Sequence, residues 1–266
     1  MGVAGAALLG AARAGLWVAW RTRLYEMPVA LYFLTWLPNL MLQTWFYTLV
    51  ALFAGGAELA RFALVGSLVR LAALPTCVQT TSHLVADREE GYLAYLVTTP
   101  VNLAGLVLGR SVLYAAEAVV TVLVASAVVL PAAGMMPGAA GWLRFCGALA
   151  ATCLSLSGLG LLVGRVVFRT RYDMVVTSLV VQALAIFCGV VVPVSAFPQW
   201  VAKAASLVPL TNGLAAARIL LGGGTRGAAG LVAAELGVGL AYWLAGYAVL
   251  LAAVRAGRAR GSLERF

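Results

Sequence analysis

The amino-acid sequence predicts an all-α, polytopic membrane protein: six transmembrane helices, an N-terminal interfacial helix before them, and a re-entrant helical hairpin on the outer side. Three observations carry that expectation. Of the 266 residues, 63% are hydrophobic and only 10% are charged, with a mean hydropathy of +1.00. A soluble domain needs about 25% charged residues to cover its surface, so the solvent for this chain is lipid. Six stretches reach the roughly 20 apolar residues that a bilayer crossing requires. The basic residues also divide unequally between the loops which those stretches define.

Residues 1–27 are apolar, but they differ from a secretory signal, whose positive charge precedes its apolar run. Here Arg13, Arg21 and Arg23 lie within or after it. An N-myristoylation motif would place Ser or Thr at position 6, where Ala6 stands. The segment therefore reads as an amphipathic helix at the membrane interface, leading into the first span. Residues 28–266 read as one transmembrane domain, with spans near 28–54, 62–84, 108–131, 142–164, 174–192 and 228–254. Pro38 and Pro75 fall inside spans, where neighbouring helices can satisfy the carbonyls they free. Gly160 and Gly164 in the fourth span, and Gly237, Gly239 and Gly246 in the sixth, are small surfaces through which membrane helices approach closely.

Orientation follows from the arginines. With the N-terminus in the cytoplasm, twelve basic residues fall inside, from Arg13, Arg21 and Arg23 to Arg255, Arg258, Arg260 and Arg265. Five fall outside (Arg61, Arg144, Lys203, Arg218 and Arg226), and Arg70 lies within a span. That bias places both termini in the cytoplasm, as an even number of crossings requires. It also accounts for the net charge of +9 without nucleic acid; the partners it implies are membrane lipids.

The chemistry of the chain is sparse. Cys77, Cys146, Cys153 and Cys188 form no C-x-x-C pair and sit in apolar stretches, as small buried hydrophobes do. The single His83 has no second metal ligand nearby and no Ser–acid partners. No G-x-x-x-x-G-K-[ST] occurs; the run from Gly105 to Gly109, Arg110 and Ser111 is one residue short and carries Arg for Lys. No catalytic, cofactor-binding or metal-ligating residue is expected. Three ionisable residues lie within spans: Arg70, Glu117 and Glu235. Such residues mark translocation-path or gating contacts by default, and the alternative for each is a structural ion pair or a snorkelling side chain.

The most informative polar stretch runs from Asp87 to Pro100, on the inner side between the second and third spans. Four charges, Asp87, Arg88, Glu89 and Glu90, precede an apolar run in which Leu93, Leu96 and Val97 share one helical face. A short amphipathic helix at the inner surface, over about 88–99, suits docking into a partner's groove. From Glu89 to Pro100 the sequence reads E-E-G-Y-L-A-Y-L-V-T-T-P. It resembles the E-x-G-T-L-E-x-L-L-x-T-P motif of ABC-2 type transporter permeases, with Tyr92 for the family's Thr and Ala94 for its second Glu.

A second segment, Pro193 to Arg218, is similar to that family's P-x-S-x-x-P-x-W and PLT-like elements after the fifth span. Taken from the residues alone, Pro193, Pro198 and Pro209 forbid one continuous helix there. The stretch is too apolar for a free loop, so a broken hairpin over about 193–212 follows. The resemblance implies the permease subunit of an ATP-driven exporter in the plasma membrane, moving an amphiphilic drug, antibiotic, lipid or glycan. It implies that Glu89, Glu90, Gly91, Tyr92, Leu93, Leu96 and Val97 couple the spans to an ATPase. It implies two ABC ATPase subunits, which hold the ATP and Mg, and a second permease subunit, identical or paralogous, paired through the first and fifth spans. This chain would then be no enzyme itself. The alternatives are a membrane-embedded enzyme, which needs clustered His, Asp or Cys, and an ion-coupled secondary transporter, which needs paired broken helices in both halves.

The topology is testable. A cysteine introduced at Glu90 is expected to react with an impermeant thiol reagent only in opened cells, and one at Gly223 in intact cells. Labelling of position 90 from outside would overturn the orientation.

Overall fold

The computed structural model describes residues 3–26, 28–89, 103–167 and 173–260. Every regular element among these residues is helical. The chain is an all-α polytopic membrane protein.

Helix α1 (Val3–Glu26) is rich in alanine, the strongest helix former, and Pro28 stands two residues beyond its end. It runs beside and parallel to α4 (Leu103–Ala132). Glycines set the distance between them. A Cβ at Gly109 would stand 1.9 Å from the Ala12 carbonyl oxygen, one at Gly15 would stand 2.2 Å from that of Leu106, and one at Gly105 2.5 Å from that of Leu8. Ala11 and Ala19 are buried, whereas Leu9, Leu16, Trp17 and Trp20 point outward along with Arg13 and Arg21. The expected interfacial helix thus turns its small residues to protein and its bulky apolar ones away from it.

From Tyr32 to Ala86 the chain is one apolar helical run of 55 residues, about 80 Å at 1.5 Å per residue, against a hydrocarbon core of about 30 Å. It is divided where a crossing must turn. After a π-helical turn (Tyr32–Trp36) with Pro38 just beyond it, α2 (Leu37–Arg70) breaks at Gly55 and Gly56, the latter at φ 75°. Only glycine adopts that conformation without strain. A second π-helical turn (Leu74–Val78) contains Pro75, which lacks the N–H that regular α pairing would use. It leads into α3 (Gln79–Glu89).

Then follow α4, α5 (Ala139–Val167), α6 (Asp173–Phe187), a 3-10 turn (Val194–Ala196), α7 (Gln199–Ser206), α8 (Thr211–Leu221) and α9 (Ala228–Arg260). The run Tyr32–Ala86, α4, α5 and α9 are each long and apolar enough to cross a membrane; α6 is shorter, and α7 meets α8 at 89°. Among the described residues four helices meet that test, or five if α7 and α8 form one span; the sequence expectation of six takes Tyr32–Ala86 as two arms and α6 as one crossing.

Two small clusters mark opposite ends of the bundle. Leu84, Val107, Leu161 and Leu250 join the ends of α3, α5 and α9 to the start of α4. Ala148, Ala216, Leu220 and Ala228 join the starts of α5 and α9 to α8. Helices α5 and α9 are therefore parallel, and α4 runs against both. Between the ends lies the main core, in which Leu64 and Leu68 of α2 meet Val122 and Val129 of α4, Leu149 and Leu156 of α5, and Leu210 and Leu214 at the hairpin. Cys77, Cys153 and Cys188 are buried free thiols.

Small residues admit α9 to α5. A Cβ at Gly239 would lie 2.8 Å from Ser155, and one at Gly246 2.8 Å from Leu161. Between them the Trp243 indole N–H donates to the Leu154 carbonyl (3.2 Å) and the Ser157 hydroxyl (3.0 Å). Gly160 packs on Cys77 and Thr80, and Gly164 on Leu84, whereas Gly237 faces open space.

The α1–α4 contact has a measurable consequence. Overpacking costs about 1–3 kcal/mol, so Gly109→Val should lower the thermal midpoint of the detergent-solubilised protein by several degrees. Gly10→Ala, at an exposed helical position with nothing within 4 Å, should raise it slightly. Equal midpoints for the two variants would show that α1 does not dock on α4.

Candidate functional site

The prolines predicted to break the segment 193–212 do so at defined places. Pro193 precedes the 3-10 turn and Pro198 caps α7, where its carbonyl accepts from Val201 (2.9 Å) and Ala202 (3.1 Å). The turn between α7 and α8 ends at Leu210, whose φ of 93° is a strained value for a residue with a branched side chain. The Asn212 side-chain amide donates to the Ser206 carbonyl across that turn (2.9 Å).

A helix start exposes backbone N–H groups that need acceptors, and lipid offers none. Glu235 of α9 fills that need. Its Oε1 accepts from Leu210 N–H (2.8 Å) and its Oε2 from Gly213 N–H (3.1 Å), and the side chain is completely buried. The carboxylate also lies at the positive end of the α8 dipole. Gly213 is pressed on α5, where a Cβ would stand 1.9 Å from the Thr152 hydroxyl.

At its other end α8 is held by Arg218. Its guanidinium donates to the carbonyls of Gly189 (2.6 Å), Val190 (3.1 Å) and Phe62 (3.2 Å) and lies 3.3 Å from the Phe62 ring centroid. Those acceptors belong to the turn after α6 and to α2. Arg218 is therefore more than an outer-loop charge: it ties three elements together, which a count of loop arginines does not reveal.

Glu117 is half of an ion pair. Arg23 of α1 donates to both carboxylate oxygens, through Nε at 2.9 and 3.0 Å and Nη2 at 2.6 Å. The pair lines a groove of about 330 Å³ together with Trp20, Tyr32, Phe33, Leu113 and Val120. Beside it the hydroxyls of Tyr32 and Thr121 are hydrogen-bonded, and Thr121 donates to the Glu117 carbonyl (2.7 Å). Arg70 of α2 is 5% exposed. It donates to the side-chain oxygens of Gln43 (3.2 Å) and Gln182 (3.4 Å) and lies 5.0 Å from the Tyr47 ring centroid. The three intramembrane candidates thus occupy separate settings and share no partner among the described residues. Sequence reasoning found the charges but not the residues that answer them: Arg23, Gln43, Gln182 and the two backbone amides.

Of the expected coupling residues, Glu89 ends α3. Glu90, Gly91, Tyr92, Leu93, Leu96 and Val97 lie outside the described residues. The elements on either side of them, α3 and α4, meet at the end of the bundle marked by Leu84 and Val107.

Residues 11–221 match the ABC-2 type transporter family. The match begins within α1, takes in both arms of α2 and the hairpin, and stops at the end of α8. The chain belongs to the ABC-2 type transporter family. It is a membrane permease of the ABC type, and membership implies partnership with an ABC ATPase subunit. No curated protein matches the chain. Within this ABC-2 permease the hairpin, Arg70 and Glu117 fall inside the matched residues. Glu235 reaches the hairpin from α9, beyond their end.

Leaving a buried N–H unpaired costs about 1–3 kcal/mol. Glu235→Ala should therefore speed hydrogen–deuterium exchange at Leu210 and Gly213 and lower the thermal midpoint. Glu235→Gln, with one acceptor oxygen, should fall between. Unchanged exchange at both amides in the alanine variant would rule out the capping role.

Proposed function

We propose that this permease exports an amphiphilic molecule (a drug, antibiotic, lipid or glycan) across the plasma membrane, driven by two ABC ATPase subunits that bind the ATP and Mg. Two permease subunits, identical or paralogous, enclose one path, and both termini of each face the cytoplasm. The chain itself supplies no catalytic group. Hydrolysis belongs to the ATPase.

One observation carries this reading. The family match spans residues 11–221, a range that includes the E-E-G-Y-L-A-Y-L-V-T-T-P segment and the hairpin. Support for pairing comes from the first span and α6, where Leu42, Phe46 and Phe53, and Leu179 and Ile186, are exposed. In the sequence pattern Leu93, Leu96 and Val97 share the apolar face expected of the coupling segment. Asp87 and Glu89 fall in the last turn of α3, and with Glu90 they would meet basic groups on the rim of the ATPase. Helix α1, within the segment expected at the interface, packs lengthwise on α4.

Truncating a buried interface anchor costs roughly 2 kcal/mol or more, whereas rim charges cost less. Leu93→Ala with Leu96→Ala should release the ATPase or uncouple its hydrolysis from transport while the permease still inserts. Glu90→Ala should act more mildly and with a stronger salt dependence. Transport and ATPase stimulation are measured in reconstituted complexes of equal permease content. Normal transport by the double leucine variant would show the segment to be an ordinary loop.

A further inference from the structure

Each of the buried arginines at the site has to settle its charge, and they do so differently. Arg23 meets the Glu117 carboxylate. Arg218 meets carbonyls that close the turn after α6, the negative end of a helix dipole. Arg70 has neither. Its hydrogen-bond partners are two neutral carboxamides, its Nε has no partner, and no carboxylate among the described residues is within ion-pairing distance. A lone guanidinium at membrane depth is costly, and no described residue balances this one.

The surroundings show from where. Gln43 lies near the middle of the span expected at 28–54, and Gln182 near the middle of that at 174–192. Both side chains are exposed. Asn39, Gln43 and Tyr47 follow one another at intervals of four along one side of α2, and the Gln43 amide donates to the Asn39 oxygen (2.9 Å). Exposed carboxamides in mid-span do not face hydrocarbon, which can satisfy none of their polar groups. They face water, a polar ligand or the second permease across the path that the two enclose. Exposed apolar side chains flank them, Leu42 and Phe46 on α2 and Leu179 and Ile186 on α6.

We propose that Arg70, reached between Gln43 and Gln182, binds the anionic head of an amphiphile, a phosphate or carboxylate whose apolar part lies on the flanking side chains. Guanidinium matches such oxyanions with paired N–H donors, and the carboxamides are the first groups the anion meets. The proposal rests on the export reading and narrows it: the path selects acidic amphiphiles over cationic ones.

The permease with its ATPase, in phosphatidylcholine nanodiscs, is offered dodecyl phosphate, dodecyltrimethylammonium and dodecyl maltoside, and bound amphiphile is counted by native mass spectrometry. Dodecyl phosphate should be preferred at least about tenfold, as a charge-assisted contact permits. Arg70→Gln should abolish the preference and Arg70→Lys should keep part of it. Gln182→Glu, at an exposed position, sets a carboxylate on Arg70 and should cancel the preference at normal folded yield; it decides the matter where Arg70→Gln fails to fold. No preference in the wild type, or a preference intact in Gln182→Glu, overturns the site. Adding phosphatidylglycerol separates the two sources: displacement of dodecyl phosphate makes a lipid headgroup the ligand, and its absence makes it the transported amphiphile. ATP hydrolysis followed in parallel keeps the two ideas apart. An assembled, stimulated complex without anion preference sinks only the site, whereas anion binding by a permease that takes up no ATPase sinks only the export reading.

Discussion

A bilayer gives a peptide group no hydrogen-bond partner, and the hairpin is where this chain meets that constraint most severely. A membrane helix satisfies its own backbone except at its ends. The segment from Pro193 to Leu221 has several ends packed close together, with a turn of 89° between α7 and α8. Glu235 answers the amides at the start of α8, and Arg218 answers the carbonyls after α6. Each of these charges is buried beside the open end of a helix, where the local dipole favours it. Without them the hairpin would leave backbone groups unpaired, and α8 would lose its hold on α2, α5 and α9.

The same logic orders the rest of the bundle. Van der Waals contact is a main source of cohesion between membrane helices, and it is greatest where backbones touch. The α1–α4 and α5–α9 pairs are built that way, on Gly15, Gly105 and Gly109 and on Gly239 and Gly246. Polar contacts then fix register: Arg23 with Glu117 in the first pair, and Trp243 with Leu154 and Ser157 in the second. The breaks are equally specific. Gly56 divides a helical run too long for one crossing, and Pro38 and Pro75 adjoin or occupy π-helical turns.

For an ABC-2 permease this division has a mechanical sense. One end of the bundle gathers α3, α4, α5 and α9 around Leu84, Val107, Leu161 and Leu250, beside the segment expected to meet the ATPase. The other end gathers the hairpin on α5 and α9. Helices α5 and α9 run continuously between the two ends and are closely packed, so the ends are joined by unbroken helices. Arg70, with Gln43 and Gln182, lies between them on the side where α2 and α6 are exposed.

Composition and hydrophobic pattern alone determined the fold class, the apolar runs and the broken segment after the fifth span, because these depend on local properties: apolar length and proline's missing N–H. The family motifs at Glu89–Pro100 and Pro193–Arg218 were legible for the same reason, being contiguous. The intramembrane charges were legible as residues but not as interactions. Glu117 and Arg23 are 94 positions apart, Glu235 and Leu210 are 25 apart, and Arg70 and Gln182 are 112 apart. No periodicity links such pairs. Nor could a pattern show that α1 turns its small residues inward, since that depends on the glycines α4 presents to it. Tertiary structure decided which charges are neutralised within the chain, which cap a helix and which one has no counter-ion among the described residues, because a charge in lipid is defined by what lies within a few ångströms of it rather than by its neighbours in sequence.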